Sequence, residues 1–296
     1  MPAPVVAIVG PTAAGKSDLA VALAHRLGGE VINADSMQLY RGMDIGTAKL
    51  TATEQDGVPH HLLDIWDVRV TATAAAYQGL CRAAIGQLQA RGVRPVVVGG
   101  SGLYVRAALD AMEFPGTDPE LRRELEQELA AHGPGPLHAR LAALDAEAAT
   151  RMEPSNGRRV VRALEVVLLT GSMPGAMTSY DMHVPTVYVG VDRPDLADRV
   201  ATRVDRMWDQ GLLTEVAGLE GLREGVTASR ALGYAQALAQ LDGTLDEATA
   251  KQLTVVATRR FVRRQRAWFR RDPRVHWLDP DHDPLAQAQV LLLTTG

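Results

Sequence analysis

Residues 5–28 read VVAIVGPTAAGKSDLAVALAHRLG, and this stretch restricts the fold more than any other. A β-branched run bounded by proline and glycine leads into Gly10-Pro11-Thr12-Ala13-Ala14-Gly15-Lys16-Ser17. Apolar residues at helical spacing follow and stop at Gly28. The pattern predicts a buried strand, a glycine-rich loop and a helix. In that order the loop amides can wrap phosphate oxygens, and the helix N-terminus adds a favourable field for an anion. Lys16 can neutralise the phosphate, and the Ser17 hydroxyl can ligate Mg²⁺. Residues 10–17 are therefore assigned as a phosphate-binding loop.

Strands alternating with helices continue the pattern. EVINAD reads as a second strand ending at Asp35, HLLDI (61–65) as a possible third, and 72–91 as an Ala-rich helix ended by Gly92. RPVVVGG is a strand ending at Gly99. From about residue 113 to 185 the segments read as helices only, over 118–131, 137–149 and 157–170. PTVYVGVD (185–192) is again a strand, followed by helical sequence with a long run at 245–270 and a last short strand, VHWLD. The expected fold is α/β. A P-loop NTPase-like core, residues 1–112 and 186–296, has a parallel sheet flanked by helices, and residues 113–185 form a helical insertion.

Aromatic residues make up 4% of the chain, so Ala, Val and Leu must build most of the core. The single cysteine, Cys81, excludes an intramolecular disulfide and a multi-cysteine zinc site. There is no basic leader and no apolar run long enough to span a bilayer, so a cytoplasmic location is expected. A net charge of −4 argues against a protein that coats nucleic acid. Two segments depart from that average: RRFVRRQRAWFRRDPR at 259–274 and RMEPSNGRRVVR at 151–162. Arginines interleaved with aromatics suit RNA backbone contact and base stacking, although such runs more often form a solvated helix face.

Asp35 falls at the carboxyl end of the second strand, on the sheet edge that carries the phosphate loop, where ligands of such folds bind. It is a candidate general base, with Ser36 and Gln38 at hand for hydrogen bonds. A helix-capping or magnesium-holding aspartate fits its position equally well. Asp44, Thr47 and Lys49 read equally as turn and surface residues. In VGGSGLY (98–104), Ser101 begins a helix after two glycines, as a contact for a second anionic group or as an ordinary tight turn.

Together, GPTAAGKS, ADSMQLYRGMDIGTAK, GVPHHLLDI, VVVGGSGLY, RRVVRALEV, RALGY and TRRFVRRQRAWFR occur in the order and spacing of the bacterial tRNA dimethylallyltransferase family. The chain resembles that family from about residue 5 to 279. The resemblance implies transfer of a dimethylallyl group from dimethylallyl diphosphate to N6 of the tRNA adenosine just 3′ of the anticodon. Diphosphate then leaves, and Mg²⁺ is the cofactor. Asp35 would take the amine proton, while the loop, Lys16 and Mg²⁺ on Ser17 would absorb the charge growing on diphosphate.

The resemblance also assigns binding roles. Ser101, a threonine in most relatives, would contact the substrates, and Arg230 in SRALGY would approach the diphosphate. Asp35, Ser36, Met37 and Gln38 would contact the target nucleotide, which must leave its stack to react. Arg158, Arg159, Val160, Val161 and Arg162, with Arg259, Arg263, Arg264, Gln265 and Arg270, would grip the anticodon stem-loop. Arg122 would add a contact from the insertion. PSNGRR lacks the aspartate that often follows this asparagine in relatives. The zinc-finger extension of eukaryotic relatives is not seen, which favours a bacterial-type enzyme, and a monomer is expected.

Three other readings use some of the same residues. A small-molecule kinase would hold ATP on the loop and use Asp35 as base. A prenyltransferase could act on free adenine nucleotide, although the two basic segments favour tRNA. A non-enzymatic RNA-binding module has no use for a phosphate loop beside a strand-end aspartate.

Overall fold

The computed structural model describes residues 3–174 and 179–295. The chain divides into two compact units, one comprising Met1–Ala111 with Met182–Gly296 and the other Met112–Asp181.

The larger unit is built on a six-stranded parallel sheet. Its strands are β1 (Val5–Val9), β2 (Gly29–Asn33), β3 (His60–His61), β4 (Arg94–Gly99), β5 (Thr186–Gly190) and β6 (Val275–Trp277), in the spatial order β3-β2-β4-β1-β5-β6. β1 lies inside the sheet, with Val6 opposite Val96 on one side and Val187 on the other. Every β1 residue is buried, as a strand covered on both faces requires. Alternate side chains enter different cores. Val6 and Ile8 pack with Leu19 and Leu23 of α1 (Lys16–Leu27) and with Leu292 of α12 (Pro284–Thr295). Val5, Ala7 and Val9 pack with Tyr77 and Ile85 of α2 (Ala74–Ala90) and with Leu109 of α3 (Gly102–Leu109).

A third core joins Tyr40 and Met43 to α8 (Leu196–Asp209), α9 (Leu212–Gly218), α10 (Tyr234–Leu241) and α11 (Glu247–Phe269). Among the described residues no helix is long and apolar enough to cross a membrane.

The smaller unit contains α4 (Pro119–His132), α5 (Pro134–Leu144), α6 (Ala146–Thr150) and α7 (Gly157–Thr170) around Leu125, Leu137, Leu141, Val160 and Leu164. The expected helix at 137–149 is two helices. Asp145 breaks it, because its carboxylate accepts the Ala148 N–H and starts a new helix. The third strand also differs from HLLDI: it stops at His61, since Leu62 and Asp64 take left-handed backbone conformations, with φ of 61° and 56°. β2 likewise ends at Asn33, two residues before Asp35. The Asn33 side chain turns the chain there by accepting the Asp35 N–H at 2.9 Å and donating to Leu62 O at 3.1 Å.

Candidate active site

The phosphate loop joins β1 to α1. Gly10 has φ of 142°, and a Cβ on it would lie 2.0 Å from Val191 O, so only glycine fits. Gly15 precedes α1 with φ of 93°. Lys16 Nζ donates to Pro11 O at 2.7 Å. Burial lowers the Lys16 pKa to about 8, against the opposing pull of Asp35. Thr12, Ala13, Gly15, Lys16 and Ser17 face a cleft of about 810 Å³ whose lining also includes Asp35, Gln38, Asp44, Ile45 and residues 47–51.

Asp35 is half-buried in this cleft, and its Oδ1 accepts the Met37 N–H at 2.9 Å. Oδ2 has no hydrogen-bond partner among the described residues. Ser101 Oγ accepts the Ser36 N–H at 3.3 Å and stands 3.4 Å from Ser36 Oγ, which ties the two strand ends together. Gln38 Nε2 donates to Thr47 O at 3.2 Å. Met37 packs at the edge of the third core.

The phosphate loop, Asp35 and Gln38 are therefore brought into one cleft, with the Ser36–Ser101 pair beside Asp35. Arg230 is exposed at the end of the 3₁₀ turn Ala228–Arg230 and does not belong to the cleft lining.

Sequence reasoning missed a basic wall contributed by α8. Arg199, Arg203 and Arg206 line the cleft, with Arg203 Nη2 donating to Thr47 O at 3.1 Å and Arg199 Nε to Ala13 O at 2.8 Å. Burial lowers the Arg203 pKa, and the Asp35 charge opposes it. The signal was present as arginines at 199, 203 and 206 on one face of an amphipathic helix, a spacing that equally describes a solvated surface.

The expected RNA contacts separate by exposure. Arg158 and Arg159 at the start of α7 are exposed, as are Arg263, Arg264 and Arg270. Arg270 lies 4.4 Å above the Trp277 ring and pairs with Asp192. Arg259 donates to Ala197 O at 3.0 Å. Arg122 and Arg162 both pair with the fully buried Glu165.

Three expected contacts need correction. The Val160 and Val161 side chains are buried in the smaller unit's core and do not reach its surface. Gln265 is also buried, with its amide spent on Thr12 N–H and Gly100 O.

Mg²⁺ keeps much of its octahedral shell as water and substrate oxygens and needs only one or two protein ligands. Ser17, with Asp18 and Asp35 in the same lining, fits that demand. Among the described residues no group of three or more His, Cys, Asp or Glu side chains could hold a metal without such help.

Fold and cleft together define an enzyme of the P-loop α/β class. The IPP transferase family model matches residues 38–272, and the chain belongs to that family. It is 66% identical over 289 residues to the tRNA dimethylallyltransferase of Streptomyces coelicolor, covering 94% of this chain and 91% of that relative. With the tRNA dimethylallyltransferase of Thermobifida fusca it shares 59% identity over 299 residues, 98% of this chain and 94% of the other.

Among solved structures, the tRNA isopentenylpyrophosphate transferase of Bacillus halodurans superposes with a TM-score of 0.71 at 41% identity, covering 98% of this chain and 95% of its own. A eukaryotic dimethylallyltransferase acting on tRNA gives a TM-score of 0.79 at 26% identity over 94% of this chain and 74% of the other.

Proposed function

We propose that the protein transfers a dimethylallyl group from dimethylallyl diphosphate to N6 of the tRNA adenosine 3′ to the anticodon, releasing diphosphate. The observation that carries this reading is a shared cleft: a phosphate loop with its lysine, and an aspartate with one unpartnered carboxylate oxygen.

The diphosphate is held by the loop amides between Ala13 and Ser17 at the start of α1, with Lys16 and Arg203 adding positive charge. An adenine amino group is a weak nucleophile, because its lone pair is delocalised into the ring. Reaction therefore depends on early loosening of the allylic C–O bond. The electron pair of that bond leaves with diphosphate, where fixed donors and cations stabilise it. N6 forms the new bond to the allylic carbon and loses a proton to Asp35 Oδ2. When bound at Ser17, Mg²⁺ supplies further neutralisation of the leaving diphosphate. The Ser36–Ser101 pair keeps the segment carrying Asp35 in register with the start of α3.

The exposed arginines of α7 and α11 grip the anticodon stem-loop, and the target base leaves its stack to reach Asp35. The protein acts as a cytoplasmic monomer. The kinase alternative would share the loop, but it has no use for the exposed arginines among aromatics on α11.

The test is incubation of purified protein with Mg²⁺, labelled dimethylallyl diphosphate and unmodified tRNA, followed by nuclease digestion and mass analysis of the nucleosides. Label on one tRNA adenosine is expected. Label on AMP alone, in a parallel reaction, replaces the acceptor. Phosphorylation or hydrolysis with ATP and no prenyl transfer replaces the reaction.

A further inference from the structure

Asp44, Ile45, Thr47, Ala48 and Lys49 line the cleft, and residues 44–49 belong to no regular element. Their backbone forms one tight turn, closed by Ala48 N–H on Ile45 O and Lys49 N–H on Asp44 O, both at 3.0 Å, with Ala48 left-handed at φ 49°. A single turn is too short to sustain itself, and its first N–H groups have no partner within it. Glu215 on α9 supplies that partner. Its Oε2 accepts the N–H groups of Ile45 at 2.7 Å and Asp44 at 3.1 Å, and its Oε1 accepts that of Gly46 at 3.3 Å. Three successive amides converge on one carboxylate, the arrangement of an anion nest.

Tyr234 completes the cap from α10, its hydroxyl donating to Glu215 Oε1 at 2.5 Å. Burial and the Glu215 charge raise the phenol pKa, so it remains a donor. The ring packs on Gly46, where a Cβ would come within 2.3 Å of Tyr234. The capped turn presents the Thr47 carbonyl, which accepts from both Arg203 and Gln38.

We propose that Glu215 is a positioning residue of the transfer reaction. By capping the 44–49 turn it fixes Thr47 O, and through Thr47 O the Arg203 guanidinium that faces the diphosphate and the Gln38 amide that faces the target nucleotide. The inference rests on the transferase reading above.

Glu215→Gln keeps the size of the side chain but replaces one acceptor oxygen with a donor among the amides. It raises KM for dimethylallyl diphosphate about tenfold, the loss expected for charge-assisted hydrogen bonds. The tRNA dissociation constant stays within about twofold, because that affinity rests on exposed arginines.

Tyr234→Phe keeps the three amide contacts and shifts the donor KM in the same direction by about threefold. The experiment measures donor KM, kcat, tRNA affinity and thermal midpoint for the full-length wild type and both variants. A donor KM unchanged in both variants overturns the proposal. So does a loss in which donor affinity, tRNA affinity and thermal midpoint fall together. If Glu215→Gln does not fold, an unchanged donor KM in Tyr234→Phe overturns it alone. A wild type that transfers no prenyl group overturns the transferase reading itself, an outcome distinct from wild-type activity with unaffected variants.

Discussion

Gln265 and Thr12 are 253 positions apart, and Gln265 Oε1 accepts the Thr12 N–H at 2.9 Å. The same side chain donates from Nε2 to Gly100 O, also at 2.9 Å. A Cβ at Gly100 would lie 2.2 Å from that nitrogen, so the glycine is what admits the amide. Thus α11 braces both the phosphate loop and the turn that leads to Ser101.

Removing this brace leaves the part-buried Thr12 N–H and the buried Gly100 carbonyl without their partner. Gln265→Ala is expected to cost about 2–3 kcal/mol of stability and to raise the donor KM. Denaturant unfolding beside steady-state kinetics checks both, and wild-type values on the two measurements would remove the bracing role.

Asp35 is expected to act on the rate and not on tRNA affinity. Asp35→Ala slows single-turnover transfer by about 10²–10⁴-fold, the usual contribution of a general base, with tRNA binding nearly intact. An unimpaired rate takes Asp35 out of that role.

Lys16 gives a pH dependence in two directions. In the donor-free protein its charge is lost as pH rises through about 8, so kcat/KM for dimethylallyl diphosphate falls over that range. Lys16→Arg stays charged and lacks that decline, whatever its absolute rate. Stability runs the other way. The folded protein disfavours the protonated amine relative to its ordinary pKa of 10.5, so the cost is fully present below about 8 and gone above 10.5. The donor-free protein therefore gains stability from this group as pH rises through that window. Thermal midpoints of wild type and Lys16→Met across the range test it, since the variant lacks this contribution.

Glu165 holds the smaller unit's arginines. It is fully buried, accepts the Asp118 N–H at 3.1 Å and pairs with Arg122 and Arg162. Burial works against its charge, but the hydrogen bonds from Arg122 and Arg162 outweigh it and lower the pKa below the ordinary 4.5. Its contribution is full above about 4.5 and is lost as pH falls through the lower folded value. Glu165→Gln is expected to cost about 3–5 kcal/mol, as breaking a buried ion pair does, and to flatten the acid side of the stability profile. Urea titrations of the full chain between neutral and acid pH read both effects.

Binding of tRNA is expected to weaken with rising salt. Arg263→Ala with Arg264→Ala lowers the slope of log affinity against log salt by about 0.7–0.9 for each RNA phosphate that no longer meets an arginine. A salt-insensitive affinity in the wild type contradicts the arginine assignment.

The strand, phosphate loop and first helix were legible in residues 5–28, because β-branched runs, left-handed glycines and helical periodicity act over a few positions. The bounds of α7 follow from signals equally local: the Asn156 side chain accepts the Arg159 N–H, and Gly171 ends the helix in a left-handed conformation. Asp35 could be placed at the phosphate-loop edge from strand order alone. The direction in which a side chain is spent could not. Gln265 sits in an arginine run and reads as an exposed RNA contact, yet it turns inward to the loop. Arg203 and Glu215 carry no motif, and the residues they meet are 156 and about 170 positions away. Helix periodicity supplies the face on which such a residue lies. Only the packing of α8, α9 and α11 around the sheet decides which backbone group that face meets, because hydrogen bonds between distant segments exist only once the cores have closed.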